Sequence, residues 1–341
     1  MTLRIATYNV EWFNGLFDDA GGLVADSAPS ARYGVTRAQQ IAALGSVFTA
    51  LNADAVLVIE APDTNARRST VTALEGFARQ FGLRARRAII GFPSDTEQEI
   101  ALLYDPDRLS ARHEPMQSAA APRFDGSFRY DLDADQVFET ITFSKPPLEL
   151  VLTADGRPLR LIGVHAKSKA PHGAHGQAAL TRLSIENRRK QLAQCLWIRQ
   201  RVETHLAAGD DVIVLGDFND GPGLDEYEKL FGHSGIEIVL GTTPDPALRL
   251  YDPHAAMALQ SRVALAPTTA RFYLAPQKRF FEALLDFIMV SPAIAARQPA
   301  WRIWHPFHDP AIIATPALRD ALLQASDHFP VTLDLPDVTG G

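Results

Sequence analysis

An α/β sandwich, with two sheets packed face to face and helices outside them, is the fold class that this 341-residue sequence predicts. Three observations carry that reading. Short runs rich in Val, Ile and Leu recur along the chain between Gly, Pro, Asp and Asn, and they are apolar almost without a break, as strands buried on both faces must be. Longer segments with apolar residues at helical spacing lie between them. No internal repeat and no low-complexity linker is visible, which argues against an array and for a single domain over residues 1–341.

In chain order, the sequence predicts strands at Leu3–Tyr8, Ala55–Ile59, Ile100–Tyr104, Leu148–Leu152, Arg160–Val164, Val212–Leu215, Leu284–Val290 and Val331–Leu335. It predicts helices over Arg37–Asn52, Ser69–Phe81 and Leu183–Ala207. The apolar stripe of the last could serve the domain's own core or a partner. Asp105–Pro147, Ser168–Leu183 and Gly241–Arg279 are less regular, rich in Pro, Ala, His or Arg, and read as candidate substrate loops.

Composition bounds the function classes. Hydrophobic content of 46% and charged content of 21% fit a globular protein with a sizeable core and exclude disorder. A formal charge of −7 removes the whole-protein signature of nucleic-acid binding, but a metal centre can still attract phosphate locally. Cys195 is the only cysteine, so there is no intramolecular disulfide and no cysteine-based zinc site. The N-terminus opens directly on a strand without the apolar core of a signal peptide, and no apolar run approaches the ~20 residues that span a bilayer. A cytoplasmic monomer without a membrane span is the expectation.

The chemistry-bearing residues fall at strand ends. Asn9 and Glu11 follow the first strand, where alternation would put an amide and a carboxylate on one face, able to hold a hard cation or a phosphate oxygen. An apolar strand delivers Glu60, whose charge a metal would offset. The strand before His165 runs into His-Ala-Lys-Ser-Lys, with Lys167 and Lys169 able to stabilise phosphoryl charge. Gly-Asp-Phe-Asn follows the next strand. There Asp217 can orient or deprotonate water and Asn219 can hold a pentavalent phosphoryl group, with Phe218 turned back into the core. Asp286 lies in an apolar strand, and Ser326-Asp327-His328 precedes the last one. An Asp–His pair of this kind fixes the imidazole tautomer and stabilises the imidazolium. Each cluster alone has a bland reading as a turn residue, a solvated charge or a structural ion pair. Their co-occurrence is the signal.

Asn9, Glu60, His165, Asp217-Phe218-Asn219, Asp286 and Ser326-Asp327-His328, in this order, resemble the signature of the endonuclease/exonuclease/phosphatase superfamily, and the match spans residues 3 to 335. The resemblance implies a four-layer α/β sandwich, two mainly antiparallel or mixed sheets flanked by helices. It implies a magnesium or manganese ion held by Glu60 with Asn9 and Asp327 close by, and Glu11 where some members contribute another ligand. It assigns His328, oriented by Asp286, to the scissile phosphate, Asp217 to the attacking water, Asn219 to the transition state and His165 to a non-bridging oxygen. Asn9 and Lys167 are candidates to bind substrate.

Val-His-Ala-Lys-Ser-Lys is similar to a stretch of bacterial nucleases of this superfamily, and Glu97 to Pro106 resembles a segment of the pancreatic-type deoxyribonucleases. Those enzymes place there a glutamate that pairs with the first active-site histidine, but Gln98 occupies the position here. Glu97 or Glu99 could support His165 instead, or His165 could act without a carboxylate partner. Arg123, Arg129, Lys145, Arg188 and Arg189 are candidates to grip a phosphate backbone.

Metal-dependent phosphodiester hydrolysis by in-line water attack, with a nucleic acid as substrate, is the function that the resemblance implies. The alternative is a phosphodiesterase or phosphatase for a lipid headgroup or small molecule, sphingomyelinase-like or inositol-phosphatase-like, with Phe272–Leu274 or Phe280–Leu284 touching the membrane. A non-catalytic binding module of the same fold is a third reading, and no catalytic position is missing to favour it.

Overall fold

Each of the apolar runs forms a strand in the computed structural model, which describes residues 2–131, 138–170, 173, 176–223, 228–260, 267–274 and 277–336. Strands are numbered in chain order. One sheet has the order β14-β15-β1-β2-β4-β3, built from Ala300–Ile303, Val331–Pro336, Thr2–Asn9, Ala55–Pro62, Gln98–Tyr104 and Arg87–Ile90. The other has the order β13-β10-β9-β8-β5, built from Asp286–Val290, Val212–Asp217, Arg157–His165, Leu148–Ala154 and Leu109–His113. Both sheets are mixed: β1 runs parallel to β2 and antiparallel to β15, and β10 runs parallel to β9 and antiparallel to β13.

Alternation explains why the runs are apolar on both faces. Leu3 and Ile5 of β1, Leu57 and Ile59 of β2, Leu161 of β9 and Ile213 and Leu215 of β10 meet in the layer between the sheets. Ala6, Tyr8, Val56 and Val58 point the other way, toward helices α1 (Arg37–Leu51) and α2 (Thr70–Gln80) and a later helix at Pro316–Ala325. Ile162, Val164, Val212 and Val214 face α3 (Gln177–Ala207). The order of layers is therefore helix, sheet, sheet, helix. The sheets approach so closely that a Cβ on Gly163 would fall 2.5 Å from Leu57 Cδ1.

Local rules set the helix ends. Thr36 and Gln39 form a reciprocal capping box before α1, and Asn52 closes it in the left-handed region. The α3 stripe is buried within the chain, with Leu192, Ala193, Trp197, Ile198 and Val202 fully packed, which answers the choice between core and partner. The helix begins at Gln177, six residues before the apolar spacing becomes legible at Leu183, because its first turns are solvent-facing and carry no stripe.

The three irregular segments contain structure that periodicity does not reveal. Asp105–Pro147 contributes the edge strand β5 and a hairpin of β6 (Phe128–Tyr130) with β7 (Glu139–Ile141). Gly241–Arg279 contributes a helix at Pro253–Gln260 and the strand β11 (Ala270–Leu274), which pairs with β12 (Arg279–Ala283) outside the sandwich. Strands of three to five residues are too short for alternation to stand out in the sequence, even where one face is buried, as with Phe128 and Tyr130 of β6. Residues 132–137, 171–172, 174–175, 261–266 and 275–276 of those segments lie outside the described residues. No helix among the described residues is long and apolar enough to cross a membrane.

Candidate active site

Register brings the motifs to one end of the sandwich. In the second sheet Asp217 pairs with His165 on one side and with Asp286 on the other, so three functional side chains share one row. In the first sheet Asn9 pairs with Ile59, which puts Glu60 beside it, and Thr7 pairs with Val331, which puts Ser326-Asp327-His328 at the same edge. Face-to-face packing then closes the gap, and Asn9 Nδ2 donates to Asp217 Oδ2 across it at 3.0 Å. Gly216 permits the approach of β10 to β9: it has φ 136°, and a Cβ there would lie 2.0 Å from the Val164 carbonyl oxygen.

Asp217 is the hub. Its Oδ1 accepts from the Asn219 backbone N–H at 2.7 Å, and its Oδ2 lies 3.8 Å from His165 Nε2 and 3.9 Å from His328 Nε2. Asn219 Nδ2 donates to Ala166 O at 3.1 Å and lies 3.4 Å from Asp217 Oδ2, so its amide ties the ends of β9 and β10 together. His328 Nδ1 meets Asp286 Oδ2 at 2.8 Å, and both groups are buried. Ser326 Oγ donates to Asn9 O at 2.7 Å and accepts from the His328 N–H at 3.1 Å, which fixes the motif against β1.

A model of the Endonuclease/Exonuclease/phosphatase family matches residues 6–328. The chain belongs to that family. Membership makes it a phosphoesterase by class. No curated protein matches it. Among solved structures it is similar to TDP2 from C. elegans at 12% identity and TM-score 0.51, over 98% of this chain and 75% of that one. It is likewise similar to a truncated Caenorhabditis elegans TDP2, at 12% identity and TM-score 0.50 over 98% of each chain. The mannosyl-6-phosphatase Bt3783 of Bacteroides thetaiotaomicron VPI-5482 aligns at 16% identity and TM-score 0.49, over 98% of this chain and 100% of that one. At such identities the two TDP2 likenesses show the fold, a sandwich of two mixed sheets flanked by helices.

The electrostatics of this phosphoesterase separate its two site histidines. Burial lowers His165 well below its usual range, and the Lys145 and His328 cations reinforce that, so its ring is neutral. Burial also lowers His328, but Asp286 and Asp217 overcome it and hold His328 well above its usual range as the imidazolium. Burial pushes the Asp217 carboxyl up, with His328 opposing and Asp286 adding to the shift.

Neither glutamate near Gln98 supports His165. Glu97 accepts from Asn14, and Glu99 accepts from the Ser94 and Thr64 N–H groups. His165 Nδ1 is buried without a hydrogen-bond partner, so no carboxylate supports the ring from that side.

Glu11 departs from the alternation argument. The strand stops at Asn9, and Glu11 and Trp12 enter the left-handed region at φ 46° and 57°, so no pleat relates Glu11 to Asn9. Instead the Glu11 N–H donates to Asn9 Oδ1 at 3.0 Å, while Glu11 Oε2 accepts from Arg32 at 2.7 Å and from the Asp327 N–H at 3.1 Å. Glu60, at φ 61°, accepts the Trp12 N–H at 2.8 Å.

The family implies a divalent cation, and the donor set fits one. Glu11, Glu60, Asp327 and the Asn9 amide oxygen are all hard oxygen donors. Burial and the nearby Asp327 charge raise both Glu11 and Glu60, with burial the larger cause in each, which marks negative charge short of compensation. Among the described residues the three carboxylates do not converge within 4.8 Å of one another, whereas Asp217, Asp286 and His328 do. In that tighter group the His328 imidazolium has no lone pair to give a metal ion.

The basic residues also sort themselves. Lys145 is largely buried beside Glu60, Asp217 and Lys167, and burial lowers its pKa, so it belongs to the site. Arg188 is buried next to Asp220, contrary to the expectation of a surface grip, since α3 carries it under the loop that follows β10. Arg189 pairs with Glu139, Arg123 with Asp125, and Arg129 stacks on Phe138. Lys169 pairs with the buried Asp220. Arg32 and Thr269 carry no sequence signal. Thr269 Oγ1 accepts the Leu285 and Asp286 N–H groups at 3.0 Å each, and so seats the strand that bears Asp286.

Proposed function

We propose that this protein is a divalent-metal-dependent phosphodiester hydrolase that cleaves a nucleic acid by in-line attack of water. The observation that carries the reading is Asp217, raised by burial, standing within 4 Å of a neutral His165 and a charged His328. Two groups of opposite protonation state around one carboxylate are what acid–base work on a phosphoryl group requires.

In this reading Asp217 accepts a proton from the attacking water, while Asn9 and Asn219 fix its orientation. The His328 imidazolium, held by Asp286, donates a charged hydrogen bond to a phosphoryl oxygen as negative charge grows on it. Nε2–H of neutral His165 does the same for a second oxygen, with Lys145 and Lys167 adding positive potential. Glu60, Asp327, Asn9 and Glu11 would hold magnesium or manganese. The bound cation would supply charge neutralisation and polarisation of the phosphoryl oxygen. The Val-His-Ala-Lys-Ser-Lys stretch supports nucleic acid as the substrate.

The test is turnover of plasmid, single-stranded DNA, RNA and bis-p-nitrophenyl phosphate, each with magnesium, manganese or a chelator. Metal-dependent cleavage of a nucleic acid, lost in Asp217→Ala and His328→Ala with the fold retained, is expected. Turnover of the small diester alone would move the substrate to a lipid headgroup or metabolite, and near-wild-type turnover by both variants would sink the mechanism.

A further inference from the structure

We infer that the β11–β12 hairpin is a stacking platform for unpaired bases, so that the preferred substrate is single-stranded nucleic acid. This rests on the nuclease reading and specifies its substrate. The hairpin is joined to the active site: Ala270 bridges to His328, the Arg271 N–H donates to Asp327 O at 2.7 Å, and the Phe272 ring lies 6.3 Å from that of His328. A strand whose phosphate sits at His328 therefore has its neighbouring nucleotides beside this hairpin.

Large rings are exposed on the other face of the hairpin, opposite Phe272, which a strand leaving the site reaches by crossing the hairpin. Tyr273 is 55% exposed, Phe280 51% and Phe307 43%. Tyr273 and Phe280 meet edge to face at 5.3 Å, and the Arg271 guanidinium lies 3.5 Å from the Phe280 ring centre. Arg271 is also paired with Glu282, which immobilises it and leaves the stack preformed. Exposed Lys278 and Arg279 adjoin the rings on a chain of net charge −7. Rings that take base faces, with cations alongside for phosphates, are the combination that binds single strands without reading sequence. A duplex keeps its base faces covered and cannot use the rings. A lipid surface would use them too, but an apolar docking face has no need of the Arg271–Glu282 pair beneath it.

The experiment compares wild type with Tyr273→Ala/Phe280→Ala, using magnesium-loaded protein and three substrates: a thymidine oligonucleotide, a matched blunt duplex, and bis-p-nitrophenyl phosphate. Loss of stacking raises KM for the oligonucleotide on the order of 10-fold per ring. Duplex cleavage and diester turnover stay at the wild-type level, which also reports that the variant is folded. Lys278→Ala/Arg279→Ala lowers the salt dependence of oligonucleotide binding by about one unit of log–log slope for each phosphate no longer neutralised. An unchanged oligonucleotide KM in the ring variant, or an equal rise on the duplex, overturns the platform while leaving the nuclease reading intact. Absence of any nucleic-acid cleavage by wild type overturns the nuclease reading itself. Ring-dependent binding to phosphatidylcholine vesicles without an oligonucleotide effect would assign the surface to a membrane instead.

Discussion

Replacing Asp286 by Asn removes one charge and almost no volume, so it isolates what that carboxylate does for His328. The two groups meet at 2.8 Å and are buried at 2% and 7% exposure, which makes the contact a charged hydrogen bond shielded from water. Such a bond contributes about 1.5–3 kcal/mol. If all of it is realised in the transition state, kcat falls by about 10- to 150-fold, at ~1.4 kcal/mol per tenfold. The pH profile adds a sign. In the wild type, burial lowers His328 while Asp286, Asp217 and Asp327 raise it, and the carboxylates win. Without the Asp286 charge burial gains ground, the pKa drops, and the imidazolium is lost at lower pH. The alkaline limb of kcat should therefore move toward neutrality, with KM for a small diester little changed. The assay is kcat on bis-p-nitrophenyl phosphate at saturating magnesium across the neutral and alkaline range, with the thermal midpoint as the folding control. A variant with kcat within twofold of wild type and an unmoved alkaline limb would refute the role given to the pair.

Three further outcomes follow from the geometry. Gly216→Ala should destabilise the fold by about 3 kcal/mol or more, read as a lower urea midpoint, because its Cβ would lie 2.0 Å from Val164 O at φ 136°; an unchanged midpoint would contradict the close approach of β9 and β10. Burial lowers His254 to about 4, below the ~6.5 of an unfolded histidine, so its share of stability is complete above that value and is lost as pH falls toward 4. At ~1.4 kcal/mol per unit that share is at most about 3 kcal/mol, and His254→Gln should flatten the acid limb of a denaturation midpoint measured against pH. Two parallel limbs would count against it. Chelation should abolish turnover, and Glu60→Gln should raise the half-saturating magnesium concentration by at least about tenfold, the low end of what even indirect metal partners cost; an unshifted magnesium titration would remove Glu60 from the ligand set.

Much of this was legible in the sequence for one physical reason: strands buried on both faces carry few polar residues before their ends, so a cluster of them there stands out. That is why the runs before Asn9, Glu60, His165 and Asp217 point to a site as well as to a core. Sheet register then does the rest, since Asp217 opposite His165 and Asp286 is a consequence of how β9, β10 and β13 pair. The residues that escaped sequence reasoning lie beyond the last pleat. Arg32 reaches Glu11 and Leu323 O from a loop, and Thr269 seats Asp286 from the start of a hairpin; no periodicity places a side chain that arrives this way. Alternation misleads in the same zone. Glu11, Trp12, Glu60 and Asn219 all have positive φ, at 46°, 57°, 61° and 50°, conformations that cost a non-glycine residue on the order of 1 kcal/mol or more. Each is held there by a bond within the site: the Glu11 N–H on Asn9, the Trp12 N–H on Glu60, and the Asn219 N–H on Asp217. The backbone leaves the strand's rule where the side chains must converge, so the failure of the alternation argument at Glu11 is itself a marker of the site.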